Sequence, residues 1–188
     1  MKKQAIETTF IMSRAEYRAW AEAQPRGRTE RVMGEVIVMA PERVEHVRIK
    51  TRVWLALDRA IRHAALPCEA LGDGVTIEIG DKTDYEPDAT VNCGELLSGE
   101  AIAASKPVMV VEVFSPSTKH IDTGIKLTDY FRVLSIQHYL IFRADLQAVI
   151  HHGRRSDGIH TSLLREGLIT LDPPGISISI DAIYEDTI

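Results

Sequence analysis

Residues 107–118 have the sequence PVMVVEVFSPST, and this stretch decides the fold. Its first eight residues are apolar on both alternating faces except at Glu112, which is typical of a central strand that is covered on both sides. The hydroxyl-bearing residues at 115–118 end the strand and offer caps to a helix. We expect that helix at residues 119–134, weakened by Gly124. A strand followed by a helix indicates a mixed α/β fold.

The flanking sequence predicts further elements and contains no internal repeat or linker. Ser13 and Glu16 form a capping-box pattern for a short helix at 13–23. Met33 and Gly34 mark the turn of a hairpin within residues 29–40. The longest helix is expected at 42–64, strands at 75–79, 87–91, 138–142, 148–152, 159–164 and 176–180, and a polar turn at 80–84. We therefore expect one α/β domain of residues 1–188, with an N-terminal helix and hairpin.

Composition excludes several classes of protein. The 188 residues include 45% hydrophobic residues, enough for a normal core in one domain. A net charge of −5 argues against a protein that coats nucleic acid by bulk electrostatics. Cys68 and Cys93 show no spacing typical of a zinc site or a disulfide framework, so we expect ordinary thiols. The N-terminus lacks the apolar region of a secretory signal and no segment suits a membrane span, so the expected location is cytoplasmic.

Glu112 is the most informative residue, because an ionised carboxylate between valines loses much of its hydration and must be compensated. Two interpretations remain open. In one, Glu112 forms a buried salt bridge with a lysine or arginine, or lies at a sheet edge in water. In the other, it is a metal ligand or a catalytic acid.

Two further residues support the functional interpretation without deciding it. Asp88 follows Pro87 at the start of a short strand, where it could face a neighbouring strand end or simply cap a turn. Lys126 lies in the helix after the Glu112 strand and could point back over the strand end. Its spacing from Asp122 is equally consistent with an exposed ion pair on one helix face.

The run at 110–118, followed by Asp122, Lys126 and Tyr130 and preceded by Pro87-Asp88, resembles the Uma2 family of the PD-(D/E)XK nuclease superfamily. Further matching segments are Gly34-Glu35, residues 36–41, Glu45-His46 and residues 138–141. The resemblance implies a restriction endonuclease-like fold, a mixed β-sheet core flanked by helices. It also implies a DNA endonuclease that hydrolyses phosphodiester bonds with Mg²⁺ or Mn²⁺.

Carried over to this chain, the resemblance makes Asp88 and Glu112 the metal ligands and Lys126 the catalytic lysine. The superfamily's usual lysine position, two after the second acid, holds Phe114 here. Mg²⁺ prefers oxygen ligands and can acidify a bound water, which suits phosphodiester hydrolysis. Lys126 would orient the water or stabilise developing charge, held in place by Tyr130.

Weaker candidates complete the expected site. Glu35 is either a supporting acid or a solvated residue after a turn, and His46 is either a supporting residue or a hydrogen-bonded histidine on a helix. Basic residues of the long helix, or Arg154 and Arg155, could contact phosphate, although a solvated charged face explains the helix better. The alternative to a nuclease is a catalytically silent nucleic-acid or protein-binding module. The sequence does not determine the oligomeric state, and a homodimer is one option.

Overall fold

The computed structural model describes residues 11–24, 27–114 and 123–185. The helices are α1 (Arg14–Glu22), α2 (Val44–His63), α3 (Thr123–Tyr130) and α4 (Ile180–Tyr184). The strands are β1 (Thr29–Val32), β2 (Glu35–Val38), β3 (Cys68–Gly72), β4 (Ile77–Ile79), β5 (Thr83–Tyr85), β6 (Ala89–Cys93), β7 (Pro107–Phe114), β8 (His138–Arg143), β9 (Ala148–Arg155), β10 (Gly158–Leu164), β11 (Leu168–Leu171) and β12 (Ile176–Ser179). The expected helix caps at 115–118, together with Asp122, lie outside the described residues.

The largest sheet has six strands in the order β10-β9-β8-β7-β6-β3. β7 lies inside it, parallel to β8 and antiparallel to β6. All residues of β7 except the last are buried. The prediction of a central strand covered on both faces is therefore confirmed, and so is the mixed α/β fold. No helix of the described chain is long and apolar enough to cross a membrane.

The two faces of β7 meet different layers. On one face Val111 packs in a core that α2, β11, β12 and α4 help to build. On the other face Val110 packs with Tyr85 of β5 and Tyr130 of α3. Glu112 points to the same side as Val110, because side chains two residues apart in a strand share a face. The acid therefore lies between the large sheet, α3 and a second, smaller sheet.

The smaller sheet has the strand order β2-β1-β5-β4. Its β1-β2 hairpin turns at Met33 and Gly34, whose φ angles are 54° and 91°, as the sequence predicted. A buried ion pair joins β1 to β5, with Arg31 Nε 2.6 Å from Asp84 Oδ2. The turn predicted at 80–84 extends too far, because residues 83–85 form the strand β5. This strand pairs with β1 at Arg31 and Asp84, where the ion pair also lies.

The cysteines also differ from expectation, because Cys68 and Cys93 form a disulfide. The spacing of the two cysteines does not reveal the bond, because it is the strand β3, which the sequence did not predict, that brings Cys68 to Cys93. In the antiparallel pairing of β3 with β6, Cys68 lies directly opposite Cys93. Residues opposite each other in such a pair have neighbouring Cβ atoms, so the strand register alone brings the two sulfur atoms together.

Two element ends differ from the sequence prediction for identifiable reasons. Helix α3 ends at Tyr130 rather than at 134. The carbonyl oxygen of the following residue, Phe131, accepts a hydrogen bond from Arg154 Nη2 at 2.7 Å. The expected strand at 176–180 ends at Ser179, whose hydroxyl accepts a hydrogen bond from Ala182 N at 3.2 Å and caps α4. Arg154 therefore has a structural role at the end of α3.

Two buried histidines of the large sheet contact each other. His138 Nδ1 lies 2.9 Å from His151 Nε2, and His138 Nε2 lies 2.8 Å from the carbonyl oxygen of Pro173. A carbonyl only accepts, so His138 donates to Pro173 and accepts from His151. Burial lowers the pKa of both rings, and with the neighbouring His138 it lowers the pKa of His151 to about 4.

We expect the contribution of His151 to the free energy of unfolding to fall as pH decreases from about 6.5 towards 4. In this range the unfolded histidine binds a proton that the folded one does not. In His151→Gln the slope of the free energy of unfolding against pH should be smaller, by the equivalent of up to one bound proton per molecule. Urea titrations across this pH range test this, with the exposed His160→Gln as the control. An unchanged slope in His151→Gln would contradict the assignment.

Reduction of the disulfide should lower the free energy of unfolding by about 3 kcal/mol, because the bond closes a loop across 25 positions of sequence. Urea unfolding with and without reductant measures the difference. The double variant Cys68→Ala, Cys93→Ala is the control and should not respond to reductant. Two reactive thiols in the denatured, unreduced protein would show that the bond is absent.

Candidate active site

The carboxylate of Glu112 on β7 is buried and paired. Lys126 Nζ on α3 donates to Glu112 Oε1 at 2.8 Å, and Tyr130 OH donates to the same oxygen at 2.7 Å. The salt-bridge interpretation of Glu112 therefore holds. Its partner is the lysine that the nuclease interpretation had selected, so the two interpretations converge on one group.

Lys126 is not an exposed residue of a helix face. It is 2% exposed, and its ammonium group also donates to Glu30 Oε1 at 2.8 Å. The ring of Tyr85 lies 4.8 Å from Nζ. Burial opposes the charge of Lys126, but the carboxylates of Glu112 and Glu30 outweigh this effect and raise the pKa of Lys126 to about 12. The group remains a cation at neutral pH.

Glu30 is a buried acid that the sequence analysis missed. It lies on β1, is 2% exposed, and accepts a hydrogen bond from the backbone nitrogen of Glu86 at 3.1 Å as well as that of Lys126. The sequence of the hairpin did contain an indication that Glu30 is buried, because Glu30 shares a strand face with the apolar Val32. The expected supporting acid, Glu35, is exposed at the start of β2, opposite Val32.

Asp88 lies just before β6, where it faces the neighbouring strand β7 beside Glu112. The register pairs Ala89 with Val111, so the next residue outward on each strand is an acid. Asp88 Oδ2 accepts a hydrogen bond from Val113 N at 2.7 Å, across the strand pair rather than within a turn. The arrangement brings the two expected metal ligands to one end of β6.

The remaining groups around Asp88 come from α2 and from the residues before β1. His46 Nε2 lies 3.2 Å from Asp88 Oδ1 and 3.8 Å from Glu42 Oε1. One ligand atom from each of these three residues lies within 4.8 Å of the others. Arg28 Nη1 contacts Glu42 and lies 3.5 Å from Asp88 Oδ1. Arg28 Nε is buried and has no hydrogen-bond partner among the described residues.

The surroundings of the two expected metal ligands shift their pKa values in opposite directions. Burial opposes ionisation of Asp88, but His46, the Val113 amide and Arg28 together hold its pKa below the usual value. Burial raises the pKa of Glu112 to about 7; Lys126 opposes this rise, while Asp88 and Glu30 add to it. The group around Lys126 thus contains more carboxylates than one lysine neutralises, which favours an additional cation.

The adjacent histidines of β9 and two basic residues of α2 have partners of their own. His151 and His152 on β9 contact separate partners, His138 and Thr161. On α2, Lys50 pairs with Glu42 and Asp73, and Arg62 pairs with Asp58. These pairs fit the charged-face interpretation of the helix.

Comparisons with known proteins place the chain in a family. A family model described as "Uma2: Putative restriction endonuclease" matches residues 14–180. A protein of Synechocystis sp. (strain ATCC 27184 / PCC 6803 / Kazusa), described as uncharacterized, is 27% identical over 180 residues, which cover 92% of this chain and 91% of that protein.

The fold has a counterpart among solved structures. A crystal structure described as a "putative nuclease belonging to DUF820" from Anabaena variabilis ATCC 29413 matches with a TM-score of 0.70 and 15% identity. The match covers 92% of this chain and 97% of the other. Since the family match extends over most of the sequence, the chain belongs to the Uma2 family.

Proposed function

We propose that this protein is a Mg²⁺- or Mn²⁺-dependent endonuclease that hydrolyses phosphodiester bonds in DNA. The observation that carries the proposal is a buried group of acids, in which Glu30 and Glu112 bind Lys126 and Asp88 lies beside Glu112, in a chain of the family described as "Putative restriction endonuclease". Buried charges of this kind are costly for stability alone, because replacing them with apolar residues often stabilises a protein. Their presence in a buried site supports a chemical role.

The donor set fits a hard divalent cation. Asp88 and Glu112 would supply carboxylate oxygens from adjacent strands, and both hydrogen bonds to Glu112 from Lys126 and Tyr130 go to Oε1. Glu42 and His46 each have a ligand atom within 4.8 Å of a carboxylate oxygen of Asp88 and could complete the set. A bound Mg²⁺ would polarise the phosphate and acidify a water molecule.

The chain's own residues would hold the reacting groups. Lys126 carries a fixed positive charge where negative charge develops on the phosphate, and Tyr130 orients Glu112 through its hydroxyl. Glu30 keeps the ammonium group of Lys126 in position from the opposite side. Arg28 partly neutralises Asp88 and Glu42, a role that a divalent cation could take over.

The alternative is a catalytically silent module of the same fold. One observation favours it: the superfamily's usual lysine position is Phe114, so Lys126 must approach Glu112 from α3. The alternative predicts nucleic-acid or protein binding without cleavage, and the following experiments separate the two.

Asp88→Asn and Lys126→Met should each slow DNA cleavage by at least about 100-fold, because the first removes a charged metal ligand and the second removes the positive charge that stabilises the reacting phosphate. The measurement is the initial rate of nicking of supercoiled plasmid with Mg²⁺ or Mn²⁺, with single-stranded DNA and RNA as further substrates. Glu78→Gln is the control, since Glu78 is also a strand acid paired with basic residues, but its partners are Arg14 and Arg18.

Loss of a metal-dependent rate in both site variants, with the control unchanged, would support the proposal. A wild-type protein that cleaves none of these substrates would favour the silent module. Full activity in Asp88→Asn would refute the assignment of the site.

The acids and the lysine should differ in their effect on stability without metal. Glu112→Gln should change the free energy of unfolding by less than about 1.5 kcal/mol, because Glu112 has a raised pKa and Lys126 keeps Glu30 as a partner. Lys126→Met should cost roughly 3 to 5 kcal/mol, because it leaves two buried carboxylates without their cation. Urea unfolding at pH 7.5 measures both changes.

The same variants test metal binding. Mn²⁺ should raise the melting temperature of the wild type and of Glu78→Gln but not of Glu112→Gln. A large loss of metal-free stability in Glu112→Gln with retained stabilisation by Mn²⁺ would mean that Glu112 is structural and not a ligand.

A further inference from the structure

β10 is an uncovered edge of the large sheet. It is the last strand in the order and pairs with β9 along its whole length. All of its residues from Gly158 to Leu163 are exposed, so within the described chain neither face is covered. It contains no lysine, no proline and no bulge, the features that usually protect an edge from pairing.

The backbone groups that point away from β9 can be identified. Arg154 N on β9 donates to Gln137 O at 2.8 Å, so it points away from β10. Its partner Ile159 therefore belongs to a pair without mutual hydrogen bonds, and its own amide and carbonyl point outward. By alternation along the regular register, Thr161 and Leu163 also point outward.

We propose that β10 pairs with β10 of a second copy of this chain, antiparallel and two-fold symmetric about Thr161. This is the register in which the seven residues of the strand overlap completely. It places the outward-pointing Thr161 opposite itself and Ile159 opposite Leu163, so each pair can exchange two backbone hydrogen bonds. A two-fold contact of this kind uses the same surface on both copies.

The side chains are complementary in this register. Ile159 and Leu163 are exposed apolar residues that would cover each other. Asp157 and Arg165, at the two ends of the strand, would face each other across the interface twice. Among the described residues of the single chain, Asp157 forms an ion pair only with the exposed His160, at 2.9 Å, and Arg165 forms none. The pairing thus gives Arg165 a carboxylate partner.

The expected dimer is of moderate affinity. One pair of seven-residue strands buries less surface than a standard interface, and such contacts are commonly weak. We expect a dissociation constant of roughly micromolar order, so sedimentation equilibrium should extend to about 100 µM protein.

A charge swap tests the register. Arg165→Asp should raise the dissociation constant about tenfold or more, because two attractive pairs become repulsive. Asp157→Arg should do the same, and the double variant Asp157→Arg, Arg165→Asp should restore dimerisation. Lys106→Asp is the matched control, since it makes the same charge change at an exposed residue outside β10 and should have no effect.

A backbone variant provides an independent test. Leu163→Pro removes an outward-pointing amide that β9 does not use, so the monomer should fold while the dimer weakens at least tenfold. A circular dichroism melt checks that the monomer is intact. A wild-type protein that stays monomeric to about 100 µM, or a dimer that none of these β10 variants weakens, would overturn the proposal.

Discussion

The ammonium group of Lys126 is the constraint on which the arrangement of the site depends. It connects three elements that are distant in sequence: α3, which carries it, β7 with Glu112, and β1 with Glu30. A buried lysine without acids would cost several kcal/mol, and two buried acids without the lysine would cost more. The large sheet, the small sheet and α3 must therefore pack together for any of the three charges to be tolerated.

The acids form two connected groups with different charge balance. Around Lys126, Glu30 and Glu112 share one cation, and Asp88 adds further negative potential. Around Asp88, Arg28 and His46 supply compensation, and Lys50 pairs with Glu42 nearby. Asp88 belongs to both groups. It is ionised by its own partners and at the same time opposes ionisation of Glu112, so a cation between the two carboxylates would relieve the repulsion.

The sequence predicted the parts of the fold that depend on local pattern. The β7 strand, the hairpin turn at Met33 and the helix α2 follow from periodicity and from the need for positive φ. Expectations that depended on long-range pairing were weaker. The Cys68–Cys93 bond requires the register of β3 against β6, and β3 itself has no residue on either face that is fully buried.

The site shows the same division between local and long-range information. Asp88, Glu112 and Lys126 could be selected because each stands out in its own segment or matches a family position. Glu30 could not be chosen over Glu35 without knowing which end of the hairpin meets α3. Each acid shares a strand face with an apolar residue, Glu30 with Val32 and Glu35 with Ile37, and only the packing of α3 gives Glu30 a charged partner.

The placement of the lysine on a helix has a physical consequence. A lysine at position 114 would share a strand with Glu112 and would keep its position relative to that acid whenever β7 is intact. Lys126 instead depends on the docking of α3, and Tyr130, one helical turn later, binds the same oxygen of Glu112. These two hydrogen bonds from one face of α3 to Glu112 Oε1 fix the rotation of the helix about its axis and its distance from β7. The ammonium group of Lys126 therefore has a defined position in the site only when α3 is docked against β7. The chemistry proposed for the site thus depends on the packing of α3.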